Sequence, residues 1–410
     1  MILGPVSYLD CLVFCLFLAP QLLYRVGLVE TVICVIQTLP FLAFKLPYAL
    51  LRDRFWRPTT TKPLWLEQAA PFEDFVIRCV RYAFANIDPK IGRVFFSKWV
   101  ALPFLRFRML RHGYLRAPVH WHEYTDKKFR GLWAIGDPLR KPDIVIFYAH
   151  GGGFLMGSPY FYLEFLLSWI AVMVDAGHAN PAIFALDYTL VPDKIYPAQV
   201  EEAMYAYEHV LSFAGDPAKV VVSGDSAGAT IILSLMLHIG RPMRGPEADT
   251  SMVRKLPLPG VAAFISPWIT LKSSRHEQTE SDYLNAETLT VYASQYAGVK
   301  GHPDDPRMRQ PLISPGNCKD LKWWKSACPP GGVIITYGEE EVFAPETRAW
   351  IDMLIKGGIK VEGLSEKGGI HAWPVASLFL CDSIGLRLRG LKQLVEHIDR
   401  HMKPRLKGGK

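Results

Sequence analysis

Lys219-Val220-Val221-Val222-Ser223-Gly224-Asp225-Ser226-Ala227-Gly228-Ala229-Thr230-Ile231-Ile232-Leu233 carries the reading of the fold. The apolar run from Lys219 to Val222 suits a buried strand, and the apolar residues continuing from Ala229 to Leu237 suit a helix. Between them stands a serine in a tight glycine turn, the context of a nucleophile elbow. Gly224, Gly228 and the small Ala227 leave the chain room for a sharp turn. A helix opening at Ser226 aims its N-terminal amides where negative charge develops during acyl transfer, and the amide of Ala227 is placed to donate to it. Upstream, His150-Gly151-Gly152-Gly153-Phe154 follows a second strand-like run, Asp143-Ile144-Val145-Ile146-Phe147-Tyr148. Gly152 and Gly153 have no Cβ to keep their amides from the same oxygen. Together, in this order, the two motifs predict a serine hydrolase.

The partners of such a serine are expected downstream, acid first and histidine second. Six histidines follow Ser226: His238, His276, His302, His371, His397 and His401. His238 falls inside the elbow helix, His276 and His302 in polar loops, and His397 and His401 on the solvated face of a C-terminal helix. His371 stands in a glycine-rich loop, Lys367-Gly368-Gly369-Ile370-His371, after the strand-like run Ile359-Lys360-Val361-Glu362, where the base belongs. The strand Gly332-Val333-Ile334-Ile335-Thr336-Tyr337 ends in Gly338-Glu339-Glu340-Glu341-Val342-Phe343. An acid there can reach the far imidazole nitrogen and fix its tautomer. Glu341 is preferred over Glu339 and Glu340 because it precedes Val342-Phe343 and turns inward with them.

These segments resemble the hormone-sensitive-lipase family of α/β-hydrolases, which includes arylacetamide and steryl-acetate deacetylases and microbial carboxylesterases. The resemblance rests on HGGGF at 150–154 and GDSAG at 224–228. It extends to Asp187-Tyr188-Thr189-Leu190-Val191-Pro192, Tyr196-Pro197-Ala198, Ile265-Ser266-Pro267-Trp268 and Ile313-Ser314-Pro315, covering residues 140–400. It implies Ser226 as nucleophile, His371 as base, and the amides of Gly152, Gly153 and Ala227 as the oxyanion hole. His150 and Gly151, with Gly224, Asp225 and Gly228, are then motif support, His150 organising its loop rather than carrying a proton. The family's acid is an aspartate in a Gly-x-x-Asp-Pro-Leu turn; here Glu341 falls at its place.

At 410 residues and 50% hydrophobic content the chain can bury one large α/β core. Strands alternating with helices from Asp143 onward predict the α/β-hydrolase fold, a mostly parallel sheet covered on both faces. Expected helices span 200–213, 344–355 and 381–402, with a surface excursion at 240–255. The expected domains are a hydrophobic membrane anchor with a basic flank (1–58), a helical cap or N-terminal extension (59–135), the catalytic domain (136–403) and a basic tail (404–410).

Residues 1–51 are apolar apart from Asp10, Arg25, Glu30 and Lys45. The uninterrupted neutral runs, 11–24 and 31–44, are shorter than a clean spanning helix. Without a basic leader or a small-residue cleavage site, this reads as a retained anchor, either a single span or a hairpin turning near Arg25-Val26-Gly27. Deleting the first 58 residues is expected to give a more soluble body. Lys45, Arg52, Arg54, Arg57 and Lys62 follow the apolar region, and the net charge of +7 suits anionic membrane lipids. No nucleic-acid motif accompanies this charge. The absence of an Asn-x-Ser/Thr sequon, with positive charge past the anchor, leans toward a cytosol-facing body on the endoplasmic reticulum.

Seven cysteines show no paired metal spacing, and the chemistry needs neither metal nor organic cofactor. The expected substrate is a lipophilic ester, with short acyl chains implied by the resemblance. Cyclisation, acyl transfer or condensation at the same serine stays open as an alternative. So does a ligand receptor, against which His371 speaks.

Overall fold

A computed structural model describes residues 1–241, 256–299, 301–302 and 304–406, the last four of these by backbone alone. Most of the 240–255 excursion and the end of the tail lie outside the described residues.

Eight strands form one sheet: β1 (His120–Thr125), β2 (Arg130–Ile135), β3 (Ile144–Ala149), β4 (Pro181–Leu186), β5 (Val220–Asp225), β6 (Val261–Ile265), β7 (Val333–Gly338) and β8 (Val361–Glu366). Their order is β1-β2-β4-β3-β5-β6-β7-β8. The pairs from β4 through β8 are parallel, whereas β2 runs antiparallel to both β1 and β4. The sheet is covered on both faces, so its central strands are apolar on both. Val145, Phe147, Val220, Val222, Phe264 and Ile335 pack with helices Ala198–Ala214, Ser226–Ile239 and Ala344–Lys356. Ile144, Ile146, Val221, Ile265 and Ile334 pack with helices Leu163–Asp175 and Ile384–Leu406. Each such side chain taken out of water contributes about 1.5–3 kcal/mol.

Two local expectations change. The stretch 59–135, expected as a cap or extension, holds four helices (Leu64–Gln68, Pro71–Asn86, Pro89–Phe95, Lys98–Arg111), but its last residues are β1 and β2 of the main sheet. The final helix, expected over 381–402, is Ile384–Leu406, and a separate short helix, Trp373–Leu380, precedes it. His401 is buried rather than solvated: its Nε2 lies 2.9 Å from the Glu362 carboxylate, which also holds His397.

The apolar N-terminal region forms helices Tyr8–Arg25 and Leu28–Trp56, joined at Gly27 with φ +99°. Both are long and apolar enough to cross a membrane by length and composition. At about 1.5 Å per residue the second reaches roughly 43 Å. Leu12, Leu16, Val29, Ile36, Phe44, Phe55 and Trp56 are among its exposed apolar side chains. The hairpin lies along the helical layer, with Phe14 on Phe95 and Phe104 and Phe41 stacked on Tyr82. It is also tied ionically at each end. Fully buried Asp10 sits 3.4 Å from fully buried Arg108, which grips Glu164 with two bonds of 2.8 Å. At the other end Asp53 pairs with Arg52 and Arg78, and Arg54 and Arg78 share Asp74. Part of the basic flank is therefore committed to internal ion pairs.

Candidate active site

Strand β5 ends at Asp225 and the next helix begins at Ser226, whose φ of +49° places a non-glycine residue in the left-handed region. Such strain persists only where the surroundings hold it. Here β3 and β5 are paired through Ala149 and Gly224, so the turning chain passes directly over the Ala149 carbonyl. A Cβ at Gly228 would press into that carbonyl, and one at Gly224 would sit 2.8 Å from it. The glycine spacing of the elbow is thus set by the neighbouring strand.

The two glycine motifs are joined by Asp225. Its carboxylate accepts the Gly151 amide at 2.8 Å, the Tyr148 hydroxyl at 2.6 Å and the Tyr162 hydroxyl at 2.7 Å. Burial pushes its pKa up to about 6, against the pull of these donors. Beyond Gly151, Gly152 and Gly153 take φ of +110° and +63°, and the carbonyl of Gly152 accepts the amides of Leu155 and Met156. Among the described residues the amides of Gly152 and Gly153 donate to no internal acceptor. His150 stacks on Tyr188 at 4.3 Å, with Nδ1 2.7 Å from the Gly151 carbonyl, and burial lowers its pKa to about 4. A neutral, buried imidazole held in this way shapes its loop.

His371 and Glu341 lie on the loops after β8 and β7, at the same C-terminal edge of the sheet as Ser226, where ligands bind in open α/β sheets. Ser226 is 5% exposed and His371 2%. The Glu341 carboxylate approaches Nδ1 of His371 to 3.9 Å. That oxygen already accepts the Ser266 hydroxyl at 2.5 Å and the Gly338 amide at 3.1 Å, while the second oxygen and His371 Nδ1 are both buried without a hydrogen bond. Burial pushes the Glu341 carboxyl well above its ordinary value and lowers the His371 imidazole to about 3. Both shifts have one cause, removal from water, which disfavours charge on each group. Of the neighbouring glutamates, Glu339 is exposed and accepts the Ser365 hydroxyl, whereas Glu340 binds the amides of Leu64 and Trp65.

Sequence reasoning missed Asp282. Fully buried between β6 and β7, it accepts the amides of Tyr283, Val342 and His371 at 2.9, 2.8 and 3.1 Å. It thereby holds the acid loop and the base loop at once. Ser266 does the same from the other side, donating to Glu341 and accepting the Ala372 amide at 2.9 Å. No spacing rule marks Asp282; Ser266 lay within the quoted Ser-Pro segment, but its bridging role left no signal.

Comparison with known proteins agrees with this fold. A family model described as the alpha/beta hydrolase fold matches residues 146–375. The chain is 32% identical over 241 residues to an acetyl-hydrolase of Streptomyces hygroscopicus, covering 58% of this chain and 70% of that one. It is 26% identical over 306 residues to a candidate steryl acetyl hydrolase, mug81, of Schizosaccharomyces pombe, covering 70% and 75%. Among solved structures, a hormone-sensitive-lipase homologue, EstE7, from a metagenome library shares the fold with a TM-score of 0.60 at 20% identity, over 80% of this chain and 98% of that one. On the matched domain, the two glycine motifs within it and the sheet that positions them, the chain belongs to the hormone-sensitive-lipase-like family of α/β-hydrolases.

Proposed function

We propose that this carboxylic ester hydrolase works at a membrane surface and removes acetyl or other short acyl groups from lipophilic alcohols through an acyl-enzyme on Ser226. The observation that carries the reading is the bond from the Gly151 amide to Asp225, which docks the unpaired amides of Gly152 and Gly153 beside the elbow. In the proposed cycle His371 takes the Ser226 proton as Oγ attacks the ester carbonyl. The oxyanion is held by the amides of Gly152, Gly153 and Ala227, a donor in such a site being worth about 3–4 kcal/mol. His371 then protonates the departing alcohol, and activates water to release the acid. Glu341 fixes the imidazole's tautomer and offsets its positive charge. The 3.9 Å gap closes as charge develops on the ring, since such contacts tighten in the reacting complex.

Ser226 and His371 are both buried, and the proposed route for the ester runs past the helices of the N-terminal layer, the cap that the family resemblance implies. The exposed apolar hairpin beside that layer supports entry from a bilayer, because an apolar surface this large marks an interaction site. The test is hydrolysis of p-nitrophenyl acetate, butyrate and dodecanoate by detergent-solubilised protein, with Ser226→Ala as control. Activity on the short esters that vanishes in the variant supports the assignment. Wild-type protein that is folded, inert and unlabelled by a fluorophosphonate overturns it.

A further inference from the structure

At the body end of the hairpin, the chain forms a partly open cavity of about 160 Å³, whose lining omits Ser226 and includes Arg52, Arg57, Arg78 and Arg81. At about 30 Å³ per water it has room for several waters, and so for a tetrahedral oxyanion. Its charge is unbalanced. Its lining carries four guanidinium groups, Arg52, Arg57, Arg78 and Arg81, against three carboxylates, Asp53, Asp74 and Glu280, an excess of one positive charge. Each carboxylate is already taken: Asp53 by Arg52 and Arg78, Asp74 by Arg54 and Arg78, Glu280 by Arg57.

Arg81 is left over. It donates only to the carbonyls of Glu280 and Asp282, and among the described residues no carboxylate forms an ion pair with it. Burial, with Arg78 nearby, lowers its pKa against the pull of the Asp282, Asp74 and Glu280 carboxylates. A part-buried guanidinium that makes no direct ion pair keeps its N–H fork open to further acceptors, and that planar fork is matched by phosphate or carboxylate oxygens. Tyr48, Phe55 and Trp56, exposed on the adjoining helix turns, have the apolar body and, in Tyr48 and Trp56, the polar tip of residues found at headgroup level.

We propose that this cavity binds a phosphate group through Arg81 and its neighbouring arginines, and that a phosphatidate-type lipid headgroup supplies it. The phosphate site stands by itself; its lipid source rests on the membrane reading above. The test follows thermal unfolding of full-length protein in detergent against dihexanoyl phosphatidate, dihexanoyl phosphatidylcholine and inorganic phosphate. A ligand bound only by the folded state raises Tm saturably. A rise with phosphatidate, little with phosphatidylcholine, and an apparent affinity weakened about tenfold or more in Arg81→Met establishes the site. Should Arg81→Met fail to fold, Arg52→Gln removes a half-exposed charge from the same lining and is expected to weaken binding in the same sense. Inorganic phosphate as effective as the lipid keeps the site but makes the ligand soluble, so that only the membrane reading fails. Equal shifts with both lipids, no saturable shift, or shifts unchanged in both variants overturns the proposal. Esterase activity is not the readout, so its absence leaves this test intact.

Discussion

Asp282 holds the backbone of His371: the buried carboxylate accepts the histidine's amide at 3.1 Å while its other oxygen accepts the amide of Val342, next to Glu341, at 2.8 Å. One side chain thus sets the separation of the loops that carry the proposed base and acid. Asp282→Asn keeps the shape but exchanges one acceptor oxygen for an NH₂ that meets an N–H head-on. Leaving a buried amide unpaired costs about 1–3 kcal/mol, so kcat/KM is expected to fall roughly tenfold or more and Tm to drop. Steady-state kinetics with thermal unfolding checks this; kcat/KM within twofold of wild type removes Asp282 from the arrangement.

Glu341→Gln is expected to lower kcat by about 10⁴, the scale seen when a triad acid becomes an amide. Glu341→Asp draws the carboxyl back by one methylene and should retain more activity than Glu341→Gln. Comparing both with Glu339→Gln separates the acid from its exposed neighbour. A Glu341→Gln enzyme at wild-type rate refutes the assignment.

The pH profile carries a sign. A base works while unprotonated, and burial lowers the His371 pKa from its ordinary 6.5 to about 3. Loss of kcat/KM through the ring therefore sets in well below pH 6.5, and in Glu341→Gln, where the raised Glu341 carboxyl no longer titrates beside it, the residual activity on a soluble ester should stay nearly level from about pH 7 down to about pH 5.5. A half-maximal point near pH 6.5 would instead place the ring in an ordinary, solvated setting.

Arg108→Ala leaves Asp10 and Glu164 facing each other in the interior without their shared cation. Removing one partner of a buried ion pair typically costs about 3–5 kcal/mol. Thermal unfolding should show a large loss of Tm, and limited proteolysis should first cut the hairpin, whose Asp10 then keeps only its partly exposed partner Arg111. Unchanged unfolding would mean that the network contributes nothing net.

The elbow was legible in the sequence because its glycines answer a short-range need, the approach of the Ala149 carbonyl to Gly224 and Gly228. The central strands were legible because burial on both faces makes them continuous apolar runs. Strand β1, His120-Trp121-His122-Glu123-Tyr124-Thr125, offers no such run; at the sheet edge it is mostly exposed, and its polar residues read as extension. Asp282 was invisible for a different reason. It binds main-chain amides, which every residue possesses, so its partners left no mark on the chain. His401 misled because an acidic and basic helix turn suggests water, whereas Glu362 on β8 supplies a partner from far along the sequence.

The apolar hairpin leaves the body and returns to it. Leu3 is buried in the main core, the carbonyls of Leu3 and Gly4 are held by Arg387, and Asp53 and Arg54 are locked into Asp74 and Arg78 past the far helix. Excising residues 1–58, expected from the sequence to yield a more soluble body, would therefore also tear out a plug and take one ion-pair partner each from Arg78 and Arg108 and two carbonyl partners from Arg387. The segment is a handle forged to the vessel at both ends rather than a tether, so whatever medium takes up the apolar helices also sets the tilt at which the rest of the molecule is held.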